Sequence, residues 1–487
     1  MPWMPQTCRA PQRRGGRLAL LLVTLAVVSS AALAGCGSPS ASSAQHTPDL
    51  HFALDGNFIA AKSAYDLRYA LVALGARDGH VAWRHTLDAS SPHDATGARY
   101  QPVYQDGQVY VGYYYEHSVD PQNFVYHGVV EALDAATGKV RWRREVGTEP
   151  AGEPVVVGST VYVSASVLPA QGQQSQVESG LLEALDVRTG AVRWQRALEG
   201  TPSMAASADG RVFVMASQQF GGHLLSLGAN DGAVAWDYTS DAPLSRGNQN
   251  GESNAPLVVD GRVYVHATER NGDGTANLNL LALNAREGSV AWRHQTGGLA
   301  AIPTFNQDRD TLCLSTFTPS QRLGSSVVLG LDAATGKARW SVEVTGIASA
   351  CAAAGNAFYL TKAAPGSTGG SVFALSSQEG RQLWQTSTGA PIVAAGALPL
   401  VMSGGMAAVY LQGPTPTRGP VMSTLAVLRM SDGKPLWRHD FGGSPDHLVD
   451  IEGNLIFNPE LLGGLPIVTT YALDTGTPLW RYALGHL

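Results

Sequence analysis

Beyond residue 49 the chain is a succession of short apolar runs in which hydrophobic and polar positions alternate, broken by turn signals at intervals of roughly 8 to 12 residues. No window holds a 3.6-residue apolar period long enough for a helix, so the pattern predicts an all-β protein. Residues 255–296 show the unit clearly. APLVVDGRVYVHA gives an apolar run, an Asp-Gly turn and a second run rich in β-branched and aromatic residues, which is a hairpin signature. A polar loop then leads to NLLALN, the turn AREG and SVAWRHQ. Each unit is therefore expected to form four short antiparallel strands, A to D.

The second half of the unit repeats. ALDAATGKVRW at 132–142 returns as ALDVRTGAVRW ending at Trp194, ALNAREGSVAW ending at Trp292 and GLDAATGKARW ending at Trp340, with looser copies ending at Trp83, Trp236, Trp384, Trp437 and Trp480. In all nine the tryptophan stands four residues after a glycine, and only Trp3 lies outside the pattern. Successive tryptophans are 42 to 59 residues apart, the period of a four-stranded propeller blade. One such sheet cannot bury both its faces, whereas sheets stacked radially around a ring can.

The repeat resembles the tryptophan-docking motif of the PQQ-like propeller superfamily, roughly A-x-D-x-x-x-G-x-x-x-W. Ala132, Asp134, Gly138 and Trp142 match it, as do Ala184, Asp186, Gly190 and Trp194, while Gly330 replaces the alanine before Asp332, Gly336 and Trp340. The resemblance implies that each indole packs on the neighbouring blade, that the glycine supplies the turn before strand D, and that the aspartate caps backbone amides in that turn. Rings of this superfamily usually hold eight blades, so eight are expected from the nine modules, with terminal strands sharing or extending one blade. The first module is read as strands LHFALDG, NFIAAKS and YALVALG, and the last ends on PLWRYAL.

Ahead of the propeller at 49–487, residues 1–35 read as an export signal. Arg9, Arg13, Arg14 and Arg17 precede the apolar run Leu18 to Val28 and a stretch of small residues. Leu33-Ala34-Gly35-Cys36 resembles a bacterial lipobox, which implies cleavage before Cys36 and lipid on its thiol. Residues 36–48 would then be a lipidated Ser/Ala/Pro-rich tether, and the body an extracytoplasmic, membrane-anchored domain on the cell surface or in the periplasm. Without the signal the net charge moves from −6 to −10, 29 basic against 39 acidic residues, which disfavours nucleic acid as a partner. Cys313 and Cys351 stay in the body, where export permits a disulfide between them, but their apolar settings TLCLSTF and ASACAAAG favour free buried thiols.

Candidate chemistry lies where the modules differ. A–B and C–D turns are tight, while long segments fall between B and C or between D and the next A, so one face of the ring is plain and the other elaborated. The elaborated segments are 90–100, 113–127, 168–180, 244–254, 269–279 and 412–420. In the second, Tyr113, Tyr114, Tyr115, Glu116, His117, Tyr126 and His127 join aromatic bulk to hydrogen-bonding tips, a composition suited to a protein or glycan contact or to packing on neighbouring loops. His93, Asp94, Glu116 and His117 lack the spacing of a metal site, NGDGT at 271–275 lacks the glycine and glutamate of a calcium loop, and no nucleophile elbow or Walker loop is present. No catalytic residue and no metal are therefore expected.

Within the superfamily two functions compete. The quinone-dependent alcohol dehydrogenases carry adjacent cysteines against the cofactor; this sequence has none and its body is short for that class, so no PQQ cofactor is expected. The anchor and propeller together look most like the lipoprotein subunit of the outer-membrane β-barrel assembly machinery. That resemblance implies a monomeric, non-enzymatic scaffold whose long-loop face meets a protein or another envelope component, peptide or glycan.

Overall fold

The structure, a computed structural model, describes residues 50–483 apart from 59–66, 88–94, 98–99, 121–122, 169–178, 219–220, 243, 246–254, 271–275, 297–298, 301–302, 319–324, 364–368, 393–399, 413–421, 443–449, 453–454 and 463–464. The export signal, Cys36 and the tether lie outside the described residues. So do His93, Asp94, the NGDGT turn and most of the other long loops.

Among the described residues every regular element is a strand. Module 5 has strands Leu257–Val259, Arg262–Arg270, Ala276–Asn284 and Val290–Gln295, hydrogen-bonded in sequence order and antiparallel, as the apolar pattern predicts. A two-residue strand in the connection from the preceding module, such as Leu244–Ser245, pairs with the far end of strand B. The strands form eight sheets, so the molecule is an eight-bladed β-propeller of small antiparallel sheets. Its eighth sheet carries modules 8 and 9 together, joined by the pair Gly442↔Leu461.

One local device recurs in all nine modules. The C–D register shifts by a β-bulge at the motif alanine or its equivalent, for example between Ala184 and Leu185 and between Ala282 and Leu283. A bulge re-aims the side chain opposite it, and opposite this one stands the tryptophan. The Trp194 indole Nε1 donates to the Ala229 carbonyl of module 4 at 2.9 Å. Trp83, Trp142, Trp236, Trp292, Trp340, Trp384 and Trp437 reach the next module in the same way. Trp480 closes the ring on the Ala76 carbonyl of module 1 at 2.9 Å.

The glycine four residues before each tryptophan receives the indole of the preceding module. At Gly232 the left-handed φ of 65° already favours glycine, and a Cβ would stand 2.5 Å from the Trp194 ring. The residue therefore serves both the turn and the docking. At Gly330, which replaces the motif alanine, the Trp340 ring occupies the space of the missing side chain, and a Cβ there would lie 2.0 Å from it. The motif aspartate caps the turn: Asp186 Oδ1 accepts from the amides of Arg188 and Thr189, and Oδ2 pairs with Arg193 at 2.8 Å. The hydrogen bond from Arg193 holds the Asp186 carboxyl down at about 2.

Two expectations are corrected. Module 1 has three described strands, Leu50–Phe58, Leu67–Gly75 and Val81–Thr86. The first runs on through Asp55-Gly56 to Phe58, where LHFALDG and NFIAAKS are expected as separate strands, because nine consecutive cross-strand pairs with Leu67–Gly75 outweigh the local turn preference of Asp-Gly. Cys313 and Cys351 are not free thiols but form a disulfide. Cys313 lies on strand B of module 6 and Cys351 just before strand A of module 7, Cα atoms 6.1 Å apart and both fully buried. Apolar context correctly signalled burial; the stacking of one module on the next, which brings the two together, is not visible in local sequence.

Candidate functional site

The elaborated segment at 113–127 is a hairpin. Strand B of module 2, Gln108–Asp120, and strand C, Asn123–Asp134, are 13 and 12 residues long, whereas the corresponding strands of the other modules have seven to nine. The extension is supported by Ala95–Gly97 in the preceding connection, which pairs with Tyr114, Tyr115 and Glu116.

Strand alternation sends its residues to two faces. Tyr113 and Tyr115 turn into the apolar cluster between modules 1 and 2 with Trp83, Leu87 and Val129, and are 1% and 3% exposed. His127 stacks on Tyr115 with ring centroids 4.7 Å apart. On the opposite face Tyr114 and Tyr126 meet edge to face at 5.9 Å, and the Tyr114 ring fills the space over Gly97. Tyr114, Glu116 and Tyr126 are half-buried, and His117 is exposed. The predicted group thus divides: Tyr113, Tyr115 and His127 build the support, Tyr114, Glu116 and Tyr126 form the opposite, accessible face, and His117, on the face of Tyr115, is exposed farther along the hairpin.

Beneath the hairpin lies a polar centre. Glu131, 1% exposed, accepts from the Tyr113 hydroxyl at 2.7 Å and lies 2.7 Å from His85 Nε2 of module 1 and 3.3 Å from Arg143 Nε. Burial, and then the charge of Glu131, push the Tyr113 phenol well above its ordinary range, so it stays a donor. Glu145 accepts from Tyr115 at 3.0 Å, and the Arg143 guanidinium sits over the Tyr115 ring at 5.8 Å. The next interface repeats the arrangement: Arg144 of module 2 grips the buried Glu183 of module 3 through two bonds of 3.0 and 3.2 Å. Each pair joins the residue two places after a docking tryptophan to the residue just before the next module's motif alanine.

Glu131 and Glu183 were not singled out from the sequence, though a signal was present. The position before the motif alanine is apolar in most modules and acidic only in VEALD and LEALD. A buried carboxylate needs a partner, and WRH at 83–85 and WRR at 142–144 supply one. With Glu131 committed to three neighbours, this chemistry is that of a rivet: it fixes two module interfaces and the base of the hairpin. Among the described residues no three His, Cys, Asp or Glu converge as a metal site, and no helix is long and apolar enough to cross a membrane.

A family model described as outer membrane protein assembly factor BamB matches residues 68–177, 178–313 and 275–482. Among curated relatives, the polyvinylalcohol dehydrogenase of Sphingopyxis sp. (strain 113P3) is 25% identical over 390 residues, 65% of this chain and 57% of that protein. The outer membrane protein assembly factor BamB of Yersinia pestis is 29% identical over 189 residues, 35% of this chain and 40% of that protein. The chain therefore spans about half the length of these relatives. The crystal structure of BamB from Moraxella catarrhalis aligns with 81% of this chain and 98% of its own, at 17% identity and a TM-score of 0.42. Because the family model runs across the modules from residue 68 to 482 and takes in all nine docking tryptophans, the chain belongs to the family described as outer membrane protein assembly factor BamB.

Proposed function

We propose that the protein is a lipid-anchored, extracytoplasmic propeller that binds a protein partner of the cell envelope through its elaborated face, with the module 2 hairpin as the main contact. The carrying observation is the hairpin itself: its strands are longer than those of every other described B–C pair, its base is clamped by Glu131, it carries Tyr114, Glu116 and Tyr126 on the face turned away from the module interface, and His117 is exposed farther out. A rigid base lowers the ordering cost of binding, and half-buried tyrosines are favourable contact residues. Family membership supports a role in outer-membrane protein assembly, and the similarity to the outer membrane protein assembly factor of Yersinia pestis supports an extracytoplasmic place. Cys36 would carry the anchor.

The dehydrogenase relatives favour a second reading, oxidation of an alcohol with bound quinone. The described residues do not fit that cofactor in the manner of the adjacent-cysteine enzymes, since Cys313 and Cys351 are spent on each other between modules 6 and 7. We assign no cofactor and no catalytic residue.

The test uses tagged protein expressed in its own cell and recovered from detergent-solubilised envelope. Combining Tyr114→Ser, Glu116→Ala, His117→Ala and Tyr126→Ser should leave melting within a few degrees of the native protein and reduce recovery of the partner at least about tenfold. Undiminished recovery would overturn the assignment of the hairpin. Oxidation of polyvinyl alcohol above background after addition of PQQ and calcium would overturn the non-enzymatic reading. Cys36→Ala should move the protein from the membrane to the soluble fraction; retention would contradict the lipid anchor.

A further inference from the structure

On the plain face, one of the described A–B turns differs from the rest. The A–B turns of modules 2, 3, 4, 5, 7 and 8 are two residues long, whereas that of module 6, residues 306–310, has five. In it Arg309 adopts a left-handed φ of 57°, disfavoured for a long side chain. The longer turn carries Arg309 across to module 5, where Nη1 stands 2.9 Å from Asp260 Oδ1. Between the two turns lies a cavity of about 180 Å³.

Tyr264 and Phe305 form an apolar lining, their rings edge to face at 5.1 Å. Arg262 is half-buried on the wall, its Nη1 donating to the Ala333 carbonyl. The nearby carboxylates are engaged elsewhere: Asp310 and Asp332 with Arg339 at 2.9 and 2.6 Å, and Asp260 with Arg309. Among the described residues no carboxylate lies within ion-pair distance of Arg262. A guanidinium without a counter-charge beside two aromatic rings is the chemistry of a site for an anion with an apolar body.

We infer that this cleft is a second binding site, which takes a carboxylate flanked by an apolar group from a segment of a protein chain. Small-molecule sites are typically about 300 Å³ or larger, so a cavity of this size admits a side chain or a chain end and not a whole cofactor. The planar fork of Arg262 suits a carboxylate, and the rings of Tyr264 and Phe305 suit the hydrocarbon beside it. The Arg309–Asp260 pair spans the mouth with both side chains more than half exposed, so it parts at little cost and frees a second guanidinium for the ligand.

An acidic side chain and a chain terminus share this chemistry, and calorimetry with three peptides separates them. Acetyl-Glu-Phe-amide offers a side-chain carboxylate, acetyl-Gln-Phe a terminal one, and acetyl-Gln-Phe-amide neither. At least one charged peptide should bind about tenfold or more tighter than the neutral one, and Arg262→Gln should erase that difference. Asp260→Asn keeps the size of the side chain, tolerates the left-handed φ of 47° and removes the competing carboxylate, so it should tighten the charged peptide a few-fold. Failure of both charged peptides to bind, equal binding of all three, or competition by inorganic phosphate as strong as by a charged peptide would overturn the proposal. So would a folded Arg262→Gln protein that still discriminates. If that variant does not fold, Asp260→Asn decides: tighter binding supports the site, and unchanged or weaker binding refutes it. None of these outcomes depends on the module 2 hairpin.

Discussion

Trp194→Ala is expected to lower the unfolding free energy by about 3–5 kcal/mol, the cost of emptying a buried aromatic site. The indole is 8% exposed, packs 6.0 Å from the Tyr162 ring and covers Gly232 of the next module. Its hydrogen bond matters less, because the Ala229 carbonyl also accepts from the Tyr162 hydroxyl at 3.2 Å and would keep that partner. The loss is therefore mainly one of volume. Denaturant unfolding followed by circular dichroism measures it, and a change under about 1 kcal/mol would contradict the role of the tryptophans as fasteners. Gly232→Ala tests the same contact from the other side, since its Cβ would enter the Trp194 ring.

Removing the disulfide by Cys313→Ala with Cys351→Ala is expected to cost a comparable amount, about 4 kcal/mol for a closed loop of 38 residues in the chain-entropy account. The bond also fastens module 6 to module 7 beside the docking of Trp340 on the Ser377 carbonyl. Equal denaturant midpoints for the oxidised protein and the double variant would contradict this, as would mass spectrometry showing two free thiols in the folded, exported protein. Because such bonds persist in oxidising compartments, the same measurement bears on the location of the protein.

The fold was legible in the sequence to the extent that local pattern determines it. Strands A to D of module 5 fall within a few residues of the apolar runs at 255–296, and the nine tryptophans announce the ring, because turn chemistry and strand alternation act within a module. What crosses between modules was harder to see. Gly232 reads as a turn residue, and its second task of receiving Trp194 emerges only when modules stack. The pairing of Cys313 with Cys351, and of Glu131 with His85, is hidden for the same reason: the partners lie 38 and 46 residues apart in different modules. The candidate surface was visible as an excess of tyrosines, but composition does not say which way they face. Strand alternation places Tyr113 and Tyr115 in the interface and leaves Tyr114 and Tyr126 toward the surface. The cleft at module 6 is hidden in the sequence because its five-residue turn, NQDRD, lacks the glycine that each two-residue counterpart carries, and local pattern does not show that the turn reaches module 5.

The division of labour between the two faces can be measured in place. A photo-crosslinking residue introduced at His117, exposed on the hairpin, and separately at Ser159, exposed in an A–B turn of the plain face, reports what each face meets in the intact envelope. A discrete crosslinked protein partner from position 117 and none from position 159 is the predicted result. The same adduct from both positions, or none from position 117 in folded, correctly anchored protein, would contradict binding through the module 2 hairpin.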